Sequence, residues 1–387
     1  MSALVKNYNR RKIAFKRGKG SFLYSTNGKK YLDFVQGIAV NSLGHSNSHL
    51  IKAINKQSKK VWHVSNAFLI PEGERLASRL AKRTFASAII FQNSGAEATE
   101  AAIKIARRYF YSIGKPKKNR IICIKNSFHG RTIAAIHASG SKKMTEGFGP
   151  KVPGFDHFEF GNLKSLKKKI TNNTAAVLIE TSLGESGVKV HSKIFLKNLR
   201  KICNKKNILL ILDEVQCGVG RSGYLFAHEN FGVFPDVMAL AKGLGGGFPI
   251  GVCLTTKAVA EPMVVGTHGS TFGGNSLAAA VGNAVLDLVL ENGLLDDVKT
   301  KSQFFVQALE HLINKHPNKI ESVHGLGFML GVKCVVPSAE LLVALRDKQL
   351  LVGKSGSNMI RLLPPLNVSR EHLEKAISIM DETLGEM

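Results

Sequence analysis

The 387-residue sequence has few acidic residues, one tryptophan and no closely spaced cysteines. Only 28 Asp and Glu residues accompany 54 Lys and Arg residues, so the formal net charge is +26. The five cysteines are an odd number and lie far apart in apolar segments, which argues against a disulfide framework. No Cys-x-x-Cys pair occurs and the histidines do not cluster with carboxylates, so we expect no metal site. Reduced, buried thiols of this kind are typical of a cytoplasmic protein.

Long apolar runs, low-complexity tracts and internal repeats are also missing. No run approaches the roughly 18 residues that a membrane span needs, so we expect no membrane partner. The first 32 residues lack Asp and Glu, as a mitochondrial transit peptide does. However, strand and turn signals already run from Phe15 to Gly37, which is typical of a β-hairpin. We therefore predict a cytoplasmic location.

The excess of basic charge raises the question of a nucleic-acid partner. Lysine runs at 115–118, 164–169 and 201–206 carry much of this charge. They contain no interleaved aromatic residues, and no helix-turn-helix, zinc-finger or ribonucleoprotein motif lies near them. We interpret them as solvated surface and predict no nucleic-acid partner.

From about residue 88 the sequence alternates between short apolar, β-rich segments and helical segments. This alternation predicts an α/β fold with a mostly parallel sheet covered by helices. We expect a large domain at 59–280, a smaller α+β domain at 281–387, and an N-terminal segment at 1–58 that joins the small domain. The predicted strands are 88–91, 120–124, 175–179 and 208–212, and the predicted helices include 96–111 and 192–204.

Polar motifs follow several of the predicted strands. Asn93-Ser94-Gly95 comes after the first, 127–131 after the second, and 213–216 after the last. Because ligands of parallel sheets bind at the carboxyl ends of the strands, we expect these motifs to share one cleft.

Lys242 and Asp213 indicate the chemistry of that cleft. Asp213 ends an apolar strand, where an unpaired carboxylate would be costly. Lys242 stands between an apolar segment and a run of glycines. A desolvated lysine and a carboxylate partner for a pyridine nitrogen are what pyridoxal 5′-phosphate needs. Any one of 54 basic residues is a weak candidate, so the apolar flank and the glycines carry this interpretation.

Ser94, Gly95, Ala96 and Glu97 form a capping-box pattern, which by itself predicts only the start of a helix. A glycine at a strand-to-helix turn, however, leaves backbone N–H groups free at the positive end of the helix. Such a turn suits a phosphate group.

Four further side chains near the strand ends are candidates for ligand contacts. Phe128 could stack on a flat cofactor, although an isolated Phe is more often a core residue. Arg131 could pair with a carboxylate, which a guanidinium binds through two hydrogen bonds, or be one of many surface arginines. Gln216 could hydrogen-bond a phenolic oxygen, whereas Glu214 is less easily assigned and could have a structural role.

Together the motifs resemble those of the class III pyridoxal-phosphate-dependent aminotransferases, in the same order. They are Asn-Ser-Gly-Ala-Glu-Ala at 93–98, Phe-His-Gly-Arg at 128–131, Asp-Glu-Val-Gln at 213–216, Ala-Lys-Gly-Leu-Gly-Gly-Gly-Phe-Pro-Ile-Gly at 241–251 and His-Gly-Ser-Thr-Phe-Gly-Gly-Asn at 268–275. The resemblance runs from Asn7 to Pro365 and is greatest to the members that act on N2-acetylornithine.

The resemblance implies a fold-type-I homodimer with its active sites at the subunit interface. It implies that Lys242 bonds the cofactor aldehyde and moves the proton, and that Asp213 pairs with the ring nitrogen. The other cofactor contacts that it implies are Ser94, Gly95 and Ala96 at the phosphate, Phe128, Glu214, Val215 and Gln216 around the ring, and Thr271 at the phosphate of the neighbouring subunit. The substrate contacts that it implies are Arg131 at the distal carboxylate, Ser270, Glu185, and Arg361 at the carboxylate next to the reacting carbon.

The chain departs from the family pattern in three places. Glu-Thr-Ser-Leu-Gly-Glu-Ser-Gly at 180–187 replaces Glu-Pro-x-x-Gly-Glu-Gly-Gly and keeps both glutamates. Ser276 replaces a frequent Pro, and Leu69-Ile70 replaces Tyr-Asn or Tyr-x. The last change lies where we expect the choice of amino donor to be made.

The implied reaction is a ping-pong transfer of the δ-amino group of N2-acetyl-L-ornithine to 2-oxoglutarate. Its products are N-acetyl-L-glutamate 5-semialdehyde and L-glutamate, in arginine biosynthesis. The alternatives within the family are enzymes that act on succinyldiaminopimelate, ornithine or 4-aminobutyrate. A basic nucleic-acid-binding or scaffold protein without catalysis is the alternative from another class.

Overall fold

A computed structural model describes residues 2–291, 293–356 and 358–387. In chain order its strands are β1 (Phe15–Lys19), β2 (Phe22–Ser25), β3 (Lys30–Asp33), β4 (Ala88–Gln92), β5 (Arg120–Ile124), β6 (Phe155–Phe158), β7 (Thr174–Glu180), β8 (Ser182–Leu183), β9 (Lys189–Val190), β10 (Leu209–Asp213), β11 (Val237–Leu240), β12 (Gly251–Thr255), β13 (Ile320–Leu326), β14 (Met329–Cys334), β15 (Leu350–Leu351), β16 (Gly353–Ser355) and β17 (Met359–Leu362).

The helices come between these strands and after them. In chain order they are the short turn α1 (Gln36–Ala39), α2 (Ser48–Ser58), α3 (Pro71–Ala81), α4 (Gly95–Ser112), α5 (Ile133–Ser139), α6 (Lys142–Thr145), α7 (Leu163–Lys169), α8 (Lys193–Lys206), α9 (Lys257–Ala260), α10 (Ser276–Leu290), α11 (Leu294–Lys315), α12 (Ser338–Asp347) and α13 (Arg370–Glu386). Two 3₁₀ turns, Ala227–Phe231 and Lys242–Gly245, complete the elements.

The central sheet has seven strands in the order β4-β12-β11-β10-β7-β5-β6. β10 lies parallel to β7 and β11, and β5 lies parallel to β7 and β6. β12 runs antiparallel to both of its neighbours. The predicted α/β fold with a mainly parallel sheet is confirmed. The antiparallel strand went unpredicted, because a fully buried strand reads as the same apolar run in either direction.

Alternating side chains of β7 point to opposite faces of this sheet. Ala176 and Leu178 pack in the core under α4, whereas Val177 and Ile179 pack in the core under α8. Glu180 continues the alternation to the α4 side and lies in register with Asp213 of β10. The sheet therefore presents two carboxylates on the face where α4 begins.

The N-terminal hairpin pairs with the C-terminal part of the chain. β1, β2 and β3 form a sheet that β15 extends by pairing parallel to β3. A second antiparallel sheet has the order β13-β14-β17-β16 and carries Arg361 on β17. One hydrophobic core includes Leu32, Leu254 and Leu384 together, so the division of the chain at residues 58 and 280 stays a prediction.

In the described part of the chain, no single helix is long and apolar enough to cross a membrane. Only α10 and α11 taken together, which meet at an angle of 66°, have the length and composition for a span. The five cysteines are buried and free.

Candidate active site

A cavity of about 400 Å³ lies at the carboxyl ends of the parallel strands. It brings together nine of the residues that the sequence singles out, which are Ser94, Gly95, Ala96, Phe128, Arg131, Asp213, Val215, Gln216 and Lys242. Its lining also includes Val40, His129, Glu180, Ser182 and the 247–250 segment, which the sequence did not single out as ligand contacts. The three strand-end motifs thus share one cleft.

Asp213 is held in place through both of its carboxylate oxygens. It is 4% exposed at the end of β10. Its Oδ2 atom lies 2.8 Å from His129 Nδ1, and its Oδ1 atom accepts a hydrogen bond of 3.0 Å from the Val215 N–H. Because a carboxylate only accepts hydrogen bonds, the ring of His129 donates through Nδ1. The carboxylate therefore faces the cavity in a fixed orientation.

His129 is a residue that sequence reasoning passed over. Its side chain is fully buried, and its Nε2 atom lies 3.0 Å from Ser127 Oγ, which in turn lies 2.8 Å from the Ile124 carbonyl oxygen. The available signal was its place in the Phe-His-Gly-Arg motif at a strand end. The partner could not be read from the sequence, because Asp213 is 84 positions away.

Lys242 begins the 3₁₀ turn that follows β11, with φ of 37°. Such a left-handed conformation costs about 1–3 kcal/mol for a residue other than glycine, and it is found most often at functional sites. Burial lowers the pKa of the Lys242 amine, and the charge of Arg361 lowers it further against the opposing effect of nearby carboxylates. The neutral amine needed for attack on a carbonyl carbon is thereby favoured.

The N-terminus of α4 forms the third side of the cavity. Ser94 Oγ accepts from the Glu97 N–H at 3.2 Å, and Glu97 Oε2 accepts from the Asn93 N–H at 2.6 Å. The N–H groups of the first helical turn, at Gly95 and Ala96, have no intrahelical acceptor and point toward the positive end of the helix. A Cβ at Gly95 would lie 2.7 Å from a methyl group of Val215, so the turn needs glycine. This geometry suits a phosphate.

Phe128 and Arg131 line the same cavity. Phe128 is half-buried, and Arg131 is exposed with its Cζ atom 5.7 Å from the centre of the Phe128 ring. The Phe128 N–H donates to Glu180 Oε1 at 2.9 Å. A flat aromatic face therefore lies beside a guanidinium whose N–H groups have no hydrogen-bond acceptor in the described part of the chain.

Glu180 connects the Phe128 segment with the loop after β8. Its Oε2 atom accepts from the Gly184 N–H at 3.1 Å, while Oε1 accepts from Phe128. Burial raises the pKa of the Glu180 carboxyl to about 7, and the charge of His129 opposes this rise. A carboxyl with this pKa titrates near neutral pH inside the cavity.

Arg361 and Glu185 lie behind the lining rather than in it. Arg361 is 2% exposed, and its Nη1 atom donates to Glu185 Oε1 at 2.6 Å and to Gln216 Oε1 at 2.9 Å. Gln216 separates this pair from the cavity. Within the described residues the buried Nε of Arg361 has no hydrogen-bond partner. The guanidinium thus keeps donor capacity that this arrangement does not use.

The remaining predicted contacts lie elsewhere in this chain. Glu214 Oε2 accepts from the Ala227 N–H at 2.6 Å and its Oε1 from the His228 N–H at 2.7 Å, which caps a 3₁₀ turn on the far side from the cavity. Ser270 and Thr271 line a separate cavity of about 380 Å³, where Ser270 Oγ accepts from Asn93 Nδ2 at 3.0 Å.

The sequence model of the family described as Aminotransferase class-III matches residues 4–384. The chain belongs to this family. Class III aminotransferases are pyridoxal-phosphate enzymes, so the chain is a transaminase that depends on this cofactor. The cavity fits the cofactor, because an amine, a buried carboxylate and a helix N-terminus surround one space. Groups of three or more metal-ligating side chains are absent from the described residues.

Curated relatives and solved structures agree with this assignment. The chain is 51% identical over 377 residues to the acetylornithine aminotransferase of Mesorhizobium japonicum, and 52% identical over 375 residues to that of Agrobacterium fabrum. Both alignments cover 97% of this chain and 94% of the relative.

Two solved structures are similar to this chain over 99% of its length. The ornithine aminotransferase of Toxoplasma gondii has a TM-score of 0.96 at 29% identity, with 93% of that chain covered. The acetylornithine aminotransferase of Elizabethkingia anophelis has a TM-score of 0.88 at 32% identity, with 96% covered.

Proposed function

We propose that this transaminase moves the δ-amino group of N2-acetyl-L-ornithine to 2-oxoglutarate, the reaction of arginine biosynthesis that yields N-acetyl-L-glutamate 5-semialdehyde and L-glutamate. One observation carries the proposal: Arg131 lines the cavity without an ion-pair partner among the described residues, whereas Arg361 is paired with Glu185. A site in this state accepts a donor with one carboxylate far from the reacting amine. Acetylornithine has that shape, and relatives about 50% identical are named for it.

We assign the cofactor contacts from the geometry of the lining. Bound pyridoxal phosphate supplies an aldehyde for the substrate amine and a ring that withdraws electrons from the reacting carbon. Lys242 Nζ would be the amine that binds the cofactor aldehyde and, when free, the base for the proton on the reacting carbon. Asp213 would pair with the protonated ring nitrogen, Gly95 and Ala96 would bind the phosphate through their N–H groups, and Phe128 would stack on the ring. Gln216 would contact the cofactor from the lining of the cavity, whereas Glu214 supports the strand end from behind.

The two half-reactions differ in whether Arg361 must bind a carboxylate of the substrate. Acetylornithine needs only Arg131 for its carboxylate. 2-Oxoglutarate carries a second carboxylate next to its reacting carbon, and we assign its binding to the buried guanidinium of Arg361, which lies behind Gln216. Glu185 must then give up Nη1, because two carboxylates cannot share one guanidinium nitrogen without repulsion.

We further propose that the enzyme is a homodimer with interfacial active sites in the cytoplasm. Exposed apolar side chains support this, with Trp62 at 64%, Leu69 at 84% and Val265 at 103% exposure. Association that covers such side chains removes apolar surface from water and is therefore favourable. Ser270 and Thr271 line a cavity separate from that of Lys242, with the Ser270 hydroxyl bonded to Asn93 and Gly273, and we propose that Thr271 serves the neighbouring subunit.

Mixed dimers test this assembly. Lys242→Ala and Thr271→Val chains are inactive or weak alone, but a dimer with one of each has one site with both native residues. Co-expression should restore up to half of the wild-type activity per mixed dimer. Activity no higher than the sum of the separate variants would contradict a shared site.

A panel of amino donors with 2-oxoglutarate tests the function. We expect kcat/KM for acetylornithine to exceed that for ornithine, 4-aminobutyrate and succinyldiaminopimelate. The alternatives remain because the most similar backbone among the two structures above is that of an ornithine aminotransferase. Free ornithine turned over faster than acetylornithine would overturn the proposal, and a purified protein without the cofactor's visible absorption would favour a non-catalytic scaffold.

A further inference from the structure

The loop at 184–187 carries Glu185, and hydrogen bonds from several neighbouring residues hold its backbone in place. Ser355 Oγ donates to the Gly184 carbonyl at 2.7 Å and accepts from the Gly187 N–H at 2.9 Å. The Gly356 N–H donates to the Glu185 carbonyl at 2.8 Å. On the other side of the loop, Glu180 Oε2 accepts a hydrogen bond from the Gly184 N–H. These bonds fix the direction in which the Glu185 side chain leaves the backbone, which is toward Arg361.

Ser186 adds one more bond, of a different kind. Its hydroxyl donates to the carbonyl oxygen of Asn126, an exposed residue in the segment that leads to Phe128. Ser186 is itself half-buried, whereas Ser355 is 2% exposed. Of these two serines, Ser186 is therefore the one whose hydrogen bond can be removed with less disturbance of the core.

The family pattern has glycine at this position, so most of the loop's fastenings do not depend on a hydroxyl here. Glycine also leaves the backbone freer than any other residue does. In this chain the residue after Glu185 is both less flexible and hydrogen-bonded to Asn126, in the segment that leads to Phe128. The added hydrogen bond lies next to Glu185, which is the carboxylate partner of Arg361.

We propose that Ser186 is a positioning residue that keeps Glu185 on Arg361 and thereby sets how readily the site accepts a second carboxylate. The inference rests on the proposed function, because it assumes that Arg361 receives the carboxylate next to the reacting carbon. Loss of the hydroxyl favours release of Glu185, so dicarboxylates bind more tightly. One hydrogen bond of ordinary strength changes such an equilibrium about two- to tenfold.

Glutarate and pentanoate are suitable probes, because they have five carbons and carry two carboxylates and one. Calorimetry on the cofactor-loaded enzyme gives their dissociation constants without turnover. For Ser186→Ala we expect glutarate to bind about two- to tenfold more tightly and pentanoate to bind as in the wild type. Ser186→Thr keeps a hydroxyl and should keep the wild-type affinity for glutarate.

Ser58→Ala is the matched control. Ser58 is also half-buried, and its hydroxyl donates to the Asn55 carbonyl at 3.2 Å, in a helix that does not line the cavity. It should change neither affinity. Should Ser186→Ala fail to fold, Ser186→Gly removes the same hydroxyl and carries the same expectation.

The kinetic counterpart is a lower KM for 2-oxoglutarate in Ser186→Ala with an unchanged KM for the amino donor. An unchanged glutarate affinity, or an equal change for pentanoate, overturns the inference. If another amine proves to be the donor, the proposed function fails while the comparison of glutarate with pentanoate still tests Ser186. If glutarate binds no better than pentanoate in the wild type, Arg361 does not receive a carboxylate, and this inference fails without touching the donor panel.

Discussion

Asp213 and Arg361 are both buried charged residues beside the cavity, but they are held in different ways. Asp213 ends a central strand, and both of its carboxylate oxygens have partners on the same face of the seven-stranded sheet. Arg361 belongs to the smaller antiparallel sheet and reaches across to Glu185, whose side chain is 35% exposed. Its buried Nε has no partner among the described residues.

The difference separates the two tasks of a transaminase. The Asp213 end must be the same in both half-reactions, because the ring nitrogen needs its partner throughout. The Arg361 end must change, because one substrate has a carboxylate there and the other does not. Changes at the first end should slow both half-reactions alike, and changes at the second should affect only one.

Lys242→Ala gives the largest expected effect and belongs to neither end. Loss of the amine removes both the covalent bond to the cofactor and the proton acceptor, so we expect kcat to fall about 10⁴-fold in both half-reactions. Stopped-flow measurement of each half-reaction checks this, together with loss of the cofactor's visible band after dialysis. Lys257→Ala, an exposed lysine outside the cavity, is the control and should behave as the wild type.

Arg361→Lys should split the half-reactions. A lysine keeps the charge but loses the two parallel hydrogen bonds to a carboxylate. We expect KM for 2-oxoglutarate to rise about 10- to 100-fold while KM for acetylornithine changes less than about twofold. Steady-state kinetics with each substrate varied gives both constants. Equal rises in the two would show that Arg361 serves both substrates, against the proposed asymmetry.

His129→Leu should act on both half-reactions equally. Leucine removes the Nδ1 donor and leaves Asp213 Oδ2 buried without its partner, at a cost of about 1–3 kcal/mol. We expect affinity for pyridoxal phosphate to fall about tenfold, with kcat reduced by a similar factor for donor and acceptor. Ser127→Ala keeps the donor to Asp213 and is the milder comparison. A selective effect on one substrate would contradict an anchoring role for His129.

Local patterns in the sequence predicted which side chains lie near Asp213, but they did not predict the partner of Arg361. Asp213 and Lys242 each stand beside an apolar strand, and strand order alone predicts that they share an edge. The sequence also named Glu185 and Arg361, yet it could not predict that they pair, because 176 positions separate them. Pairings between distant loops depend on how the two sheets meet, which has no local signature.

Glu214 shows that a motif does not fix the direction of each of its side chains. Its place between Asp213 and Val215 made it a candidate cofactor contact, but its carboxylate caps the 3₁₀ turn at Ala227–Phe231 instead. Neighbours at a strand end point to opposite sides, so a motif of four residues cannot send all of its side chains into one cavity. Family resemblance alone places residues in a motif without assigning their directions.

Glu180 is hydrogen-bonded both to the Phe128 segment and to the loop that carries Glu185, and its titration gives the smallest expected effect. Burial raises the pKa of its carboxyl from 4.5 to about 7. Between about pH 4.5 and 7 the folded protein therefore holds a proton that the unfolded chain has lost, so this group makes the free energy of unfolding fall as pH rises through that window. Glu180→Gln has no such group, so its free energy of unfolding relative to the wild type should increase by up to about 3 kcal/mol from pH 4.5 to pH 7.

Denaturant unfolding of the cofactor-free protein at several pH values measures this difference, and the exposed Glu159→Gln is the control that should show no such trend. Parallel curves for wild type and Glu180→Gln would mean that Glu180 is ionised throughout. In that case the hydrogen bonds from Phe128 and Gly184 stabilise the carboxylate more than burial destabilises it. Glu180 would then carry a negative charge at every pH tested. If the two curves converge at low pH, the Glu180 carboxyl is protonated and neutral there. Its hydrogen bond from the Gly184 N–H, which holds the 184–187 loop, would then weaken as pH falls below about 7.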